Sequence, residues 1–131
     1  MLVEDHAAFH QALAFLLSRE PDLEVVAEAG SLAEAHEQIE ALPRERLDVA
    51  VLDLGLPDGD GRELLGRLRR SNPAISVVVL SATIEAAHTE KVLRAGADAV
   101  LDKVEAPQTI AAEVKCLAGG GRAASKHDTR S

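Results

Sequence analysis

The sequence predicts an α/β fold, a doubly wound (βα)5 sandwich built on a parallel five-stranded sheet, and three observations point to it. Short apolar runs alternate five times with stretches of helical spacing, the pattern of βα units laid into a parallel sheet. The runs Val49-Ala50-Val51-Leu52 and Ile75-Ser76-Val77-Val78-Val79-Leu80 show little polar alternation, as strands covered on both faces do. The runs also end in polar residues. Behind Asp53, Gly55, Pro57 and Gly59 forbid simple continuation, so a loop opens at the carboxyl end of the strand. Open α/β sheets bind ligands at that end, and right-handed crossovers restrict the topology to helices on both faces.

Each element follows in chain order. Met1-Leu2-Val3 is a short strand ending at Glu4-Asp5. Phe9, Leu13, Leu16 and Leu17 mark a helix from Ala7 to Ser18, stopped by Pro21. Leu23 to Glu28 reads as the second strand. Ser31 with Glu34 three residues later is a capping-box signature, opening a helix to Leu42 that Pro43 ends. Leu47 to Asp53 is the central strand, followed by an Asp-Gly-Asp-Gly loop. Leu64, Leu65 and Leu68 mark a helix to Arg70, closed by Asn72-Pro73. After the strand ending at Ser81, Ile84, His88, Val92 and Ala95 form a weaker helical stripe ended by Gly96. Ala99-Val100-Leu101 is a last strand ending at Asp102-Lys103, and Ile110, Val114 and Leu117 mark a final helix after Pro107. From Gly119 to Ser131 the chain is rich in Gly, Ala, Ser and charge without periodicity, and reads as a disordered polar tail.

Composition narrows the class. At 131 residues the chain is one domain by size. With Phe9 and Phe15 its only aromatic residues, the core must be aliphatic. A single cysteine, Cys116, forms no internal disulfide and is read as a small packing residue in a reducing compartment. No apolar run approaches a membrane span, and the start lacks the features of a signal peptide, so the expectation is a soluble, cytoplasmic protein. A net charge of −8 argues against nucleic-acid binding by this domain.

The chemistry is suggested by what collects at the strand ends. Strand one brings Glu4 and Asp5, strand three Asp53, strand four Ser81 and strand five Lys103. In a parallel sheet all of these open into one crevice. Clustered carboxylates repel, and a hard divalent cation relieves them; Mg²⁺ takes carboxylates together with waters and phosphate oxygens. A lysine and a hydroxyl complete the parts needed to place a phosphoryl group on Asp53, because phosphoryl transfer relies on positioning and charge neutralisation. Taken singly, each residue has an ordinary structural reading. Glu4-Asp5 and Ser81 could cap helices, Asp53 could be a turn residue, and Lys103 could be a solvated loop lysine. Their joint placement on four strand ends favours the site. His6, His10, His36, His88 and His127 lack metal-ligand spacing, apart from His6 and His10 at i, i+4, and are read as surface or helix-packing residues.

With these residues in view, the sequence resembles the receiver domain of a bacterial two-component response regulator. The resemblance lies in Glu4-Asp5-His6, Asp53-Leu54-Gly55-Leu56-Pro57 with Gly61, Ser81-Ala82, Ala95-Gly96-Ala97 and Lys103, and it covers residues 1–118. Val3-Glu4-Asp5-His6 and the stretch from Glu20 to Gly30 are similar to the NarL/LuxR-type subgroup, which usually carries a C-terminal helix-turn-helix. The resemblance implies a flavodoxin-like fold with strand order 2-1-3-4-5. It implies a sensor histidine kinase as phosphodonor and Asp53 as phosphoacceptor. Asp5, Asp53 and the backbone carbonyl of Gly55 would ligate Mg²⁺, with Glu4 acting through a water. Ser81 and Lys103 would hold the phosphoryl group, and small Ala82 would leave it accessible. On this reading, phosphate-dependent formation of a homodimer through the face of residues 85–118 is a further expectation.

Three departures from the family pattern set further expectations. The opening strand starts late, so it should be short. Val100 stands where the family usually has Tyr or Phe, so readout through an aromatic switch is not expected. No DNA-binding segment follows, as in a stand-alone receiver or an excised fragment. Two competing readings are a pseudo-receiver that is never phosphorylated and a Mg²⁺-dependent aspartyl-nucleophile phosphatase. The latter needs a second aspartate where this chain has Gly55; on the main reading the domain is not a turnover enzyme.

Overall fold

The computed structural model describes residues 1–42, 47–82 and 85–118. The expected tail, and the positions of Pro43, Ile84 and His127, lie outside them. In chain order the elements are β1 (Leu2–Val3), α1 (Ala7–Ser18), β2 (Glu28–Ala29), α2 (Leu32–Ala41), β3 (Val49–Asp53), β4 (Gly55–Leu56), β5 (Gly59–Asp60), α3 (Gly61–Ser71), β6 (Ser76–Ser81), α4 (Ala86–Arg94), β7 (Ala99–Asp102) and α5 (Pro107–Ala118). Five strands form a parallel sheet in the order β2-β1-β3-β6-β7. Counting main-sheet strands alone, this is the expected 2-1-3-4-5.

Alternation along the two central strands builds both layers. Ala50 and Leu52 of β3 and Val77 and Val79 of β6 pack with Leu32 of α2, Leu64, Leu65 and Leu68 of α3 and Val92 of α4. Their neighbours Val51, Val78 and Leu80 face the other way, onto Leu13 and Leu17 of α1 and Ile110, Val114 and Leu117 of α5. Every residue of β6 is buried. Each such aliphatic side chain contributes about 1.5–3 kcal/mol of burial, which makes β3 and β6 the rigid floor of the site.

Four expectations need correction. The second strand was expected over Leu23–Glu28, but only Glu28–Ala29 forms a ladder. β1 offers just Leu2 and Val3 as partners, so beyond the hydrogen bond from the N–H of Leu2 to the carbonyl of Ala27 at 3.0 Å the ladder does not extend upstream of Glu28. A cleft lined by Met1, Val25, Val26, Asp48 and Val49 remains there, at the opposite end of the sheet from Asp53. The stretch after Asp53 is not a plain loop but a two-residue antiparallel hairpin, Gly55 against Asp60 and Leu56 against Gly59. Gly59 turns it with φ 153°, and a Cβ there would sit 2.5 Å from Leu32 Cδ1. Cys116, expected to pack, is exposed on α5. The capping box at α2 closes one residue early. Ser31 Oγ accepts from Glu34 N at 3.2 Å, while Glu34 Oε1 accepts from the N–H of Gly30, not of Ser31.

Candidate functional site

Only four polar or charged residues are buried among the described residues: Glu4, Asp53, Ser76 and Ser81. Three of them end parallel strands on the same side of the sheet, and burying a carboxylate without a partner is costly. Their partner is Lys103, from the loop after β7. Its Nζ donates to Glu4 Oε2 at 3.0 Å and to Asp53 Oδ2 at 3.1 Å. Register places it there: β7 pairs Asp102 with Ser81, and the N–H of Lys103 donates to the carbonyl of Ser81 at 3.0 Å. The ammonium also lies 5.7 Å from the centre of the Phe9 ring on α1, a cation–π contact that helical spacing alone did not reveal.

The carboxylates are held from the backbone as well. The N–H of His6 donates to Glu4 Oε2 at 2.9 Å, and the N–H of Gly55 donates to Asp53 Oδ1 at 3.1 Å. Asp5 is exposed at the mouth of the crevice. Burial raises the Asp53 pKa to about 6, against the Gly55 hydrogen bond that lowers it; the Glu4 charge adds to the rise and Lys103 opposes it. Burial pushes Lys103 down, but the hydrogen bonds and charges of Glu4 and Asp53 outweigh it and hold the ammonium above the ordinary lysine value.

The donor set fits a hard cation. Glu4, Asp5 and Asp53 each offer an oxygen within 4.8 Å of the others. Glu4 Oε1 is buried with no hydrogen-bond partner, an acceptor left for something that brings positive charge. All-oxygen ligation is what Mg²⁺ takes.

The hairpin β4–β5 frames the crevice. Asp58 at its tip reaches across to α2, accepting from the N–H of Leu32 at 2.7 Å and of Ala33 at 3.0 Å, so it caps a helix far away in sequence. Asp60 caps α3 through the N–H of Arg62 at 2.9 Å. Gly61, one of the motif residues, is required by contact: a Cβ there would lie 2.6 Å from the Asp53 carbonyl oxygen. Gly61→Ala is therefore expected to displace the end of β3 and cost about 1–3 kcal/mol, read as a lowered urea midpoint at unchanged slope.

Ser81 ends β6, buried, and Ala82 beyond it is exposed. Val100 is half-buried on β7 and packs against the core. Two histidines read from sequence as surface or packing residues have closer roles. His10 Nδ1 lies 2.8 Å from the carbonyl oxygen of Glu4 and its Nε2 2.7 Å from Glu28 Oε1, tying α1 to the ends of β1 and β2. His88 Nε2 on α4 lies 3.3 Å from Ser81 Oγ. No spacing rule links a histidine on a helix to the end of the preceding strand.

Comparisons with known proteins agree with this geometry. Residues 1–115 match the profile of the response regulator receiver domain. Over 120 residues the chain is 38% identical to the transcriptional regulatory protein UhpA of Salmonella typhimurium, covering 92% of this chain and 58% of that protein. It is 39% identical to the DNA-binding transcriptional activator DevR/DosR of Mycobacterium tuberculosis, covering 91% and 54%. The chain thus spans a little over half the length of these curated relatives. Among solved structures, the signal receiver domain of the response regulator NarL from Mycobacterium tuberculosis superposes with a TM-score of 0.77 at 32% identity, covering 91% of this chain and 94% of that one. No helix among the described residues is long and apolar enough to cross a membrane. Strand order, the acidic crevice and its lysine, and the match over most of the chain lead to one conclusion: this chain belongs to the response regulator receiver domain family, with relatives of the NarL/LuxR type.

Proposed function

We propose that Asp53 accepts a phosphoryl group from the phosphohistidine of a sensor histidine kinase, in a Mg²⁺-dependent reaction, and that the change is passed to a partner in the cytoplasm. The observation that carries this reading is the pairing of a buried Asp53 carboxylate with Lys103 beside two further carboxylates. In the transfer an Asp53 oxygen attacks phosphorus, the P–N bond breaks, and the histidine leaves as neutral imidazole once it has taken a proton. Gly55 N–H and Lys103 hold Asp53 for attack, each on a different oxygen. Lys103 then has a phosphoryl oxygen to follow in place of Asp53 Oδ2.

Asp5, Asp53 and the Gly55 carbonyl would hold Mg²⁺, with Glu4 acting through a water. The ion supplies charge neutralisation for the transferring phosphoryl oxygens. Ser81 would hydrogen-bond a phosphoryl oxygen, and exposed Ala82 would leave the acyl phosphate open to donor and water. The domain proper is residues 1–118, with 119–131 as its tail. It signals through the face of residues 85–118, where Leu93 and Val104 are exposed, by forming a homodimer and without contacting nucleic acid itself.

A small phosphodonor with Mg²⁺ is expected to label the wild-type domain on one residue, detected by mass and by Phos-tag mobility. Asp53→Asn and removal of Mg²⁺ should each abolish labelling, and labelled protein should sediment as a dimer. An unlabelled wild type would leave the pseudo-receiver reading in its place.

A further inference from the structure

Val100 is an aliphatic side chain packed against the core, so no aromatic rotamer at this position on β7 carries news of Asp53 outward. Another route starts at Ser81. Its Oγ, at the buried end of β6, and the Nε2 of half-buried His88 on α4 lie 3.3 Å apart. α4 is otherwise lightly held. Of its nine residues Val92 alone is buried. On the same helix the hydroxyl of Thr89 is buried without a partner, which weakens the seat further.

We propose that His88 couples α4 to the phosphoacceptor site: the Ser81 hydroxyl donates its proton to His88 Nε2 in the unphosphorylated domain and to a phosphoryl oxygen in the phosphorylated one. This rests on the reading of Asp53 as phosphoacceptor. A serine hydroxyl has a single proton to donate, so the two bonds exclude each other. A charged phosphoryl oxygen is a stronger acceptor than an imidazole nitrogen, so phosphorylation draws the proton away from His88. α4 then loses its tie to β6 while keeping one aliphatic anchor, and a segment with few buried contacts opens first. His88 is a positioning residue in this scheme, and it touches no reacting atom.

Amide hydrogen exchange over residues 86–94, with and without beryllofluoride and Mg²⁺, tests the coupling; ¹⁹F NMR reports beryllofluoride uptake independently. In the wild type, exchange across α4 is expected to quicken about fivefold on uptake, the worth of one net hydrogen bond. His88→Leu should exchange at the fast rate from the outset, show no further change, and still take up beryllofluoride. His88→Gln, which keeps a polar atom near the Nε2 position, should recover part of both the protection and the response. A purely structural role for His88 would lower protection beyond α4 and leave the beryllofluoride-dependent difference in place, and that pattern overturns the proposal. Uptake by the wild type with unchanged α4 exchange, or a His88→Leu variant that responds like the wild type, also overturns it. Absence of uptake by the wild type overturns the Asp53 reading and the coupling together, so the two failures are told apart.

Discussion

Lys103→Ala is expected to destabilise the domain by about 2–4 kcal/mol at pH 7.5, the upper part of that range being the cost of breaking a buried ion pair from one side. The lysine neutralises Glu4 and Asp53, whose side chains are 0% and 4% exposed, and it is itself only 24% exposed. Some of the cost is relieved because solvent reaches the crevice mouth at Asp5. The rest falls on two carboxylates with no cation between them. A lysine pKa raised on folding contributes stability that is complete below its unfolded value near 10 and is lost only above it. Lys103 in the wild type therefore adds no slope between pH 5 and 8. In the variant Asp53 loses the hydrogen bond from Lys103 that holds its pKa down, so it binds a proton still more tightly when folded, and the deficit should shrink as pH falls toward 5. Urea unfolding of both proteins at pH 7.5 and 5.5 in EDTA measures it. A deficit equal at the two pH values would mean that lost packing against Phe9, and not charge, is what Lys103 supplies.

Why Asp53, Glu4, Ser81 and Lys103 were legible in sequence is a matter of apolar runs. Each sits at the end of one, and a parallel sheet must bring such ends together whatever joins them. The hairpin behind Asp53 was not legible, because two residues per strand give no periodicity and Gly59 and Gly61 read as punctuation. Their roles came from contacts with Leu32 and with the carbonyl of Asp53, both made by tertiary packing. Asp58 capping α2 and Arg69 donating to the carbonyl of Gly96 at 2.9 Å are likewise pairings across more than twenty residues. The second strand was misplaced for a related reason. The alternation from Leu23 to Glu28 satisfies strand chemistry, but a strand exists only opposite a partner, and β1 supplies two residues. The stripe of Ile84, His88, Val92 and Ala95 marks a helix, but a bond from His88 to Ser81 at the end of the preceding strand leaves no mark in that spacing.

Asp53→Asn is expected to raise stability in metal-free buffer at pH 7.5 while abolishing phosphoryl uptake. The Asp53 pKa stands at about 6 in the folded domain, up from 3.8. A carboxyl whose pKa rises on folding favours the folded state only when protonated. Its ionised form costs stability above pH 6, and the cost is recovered as pH falls from about 6 to about 4. Two units correspond to no more than about 3 kcal/mol, reduced by screening at the open crevice, so a gain of about 1–2 kcal/mol at pH 7.5 is the expected figure. Asparagine keeps an acceptor for the N–H of Gly55, so the substitution removes charge without orphaning that donor. Asp58 and Asp60 titrate with the opposite sign, since hydrogen bonds to backbone N–H groups lower Asp58 and those to Arg62 lower Asp60. The informative quantity is thus the difference between variant and wild type, which should vanish below pH 4. Mg²⁺ should act in the reverse sense: a ligand that binds only the folded state stabilises it by RT ln(1 + [L]/Kd), so millimolar Mg²⁺ should raise the wild type toward the variant and leave the variant nearly unmoved. Urea midpoints across pH 4–8, in EDTA and in MgCl₂, decide the matter. A variant less stable than the wild type in EDTA at pH 7.5 would show that the Lys103 ion pair outweighs the burial of Asp53, and that the crevice is a structural salt bridge before it is an acidic trap for a cation.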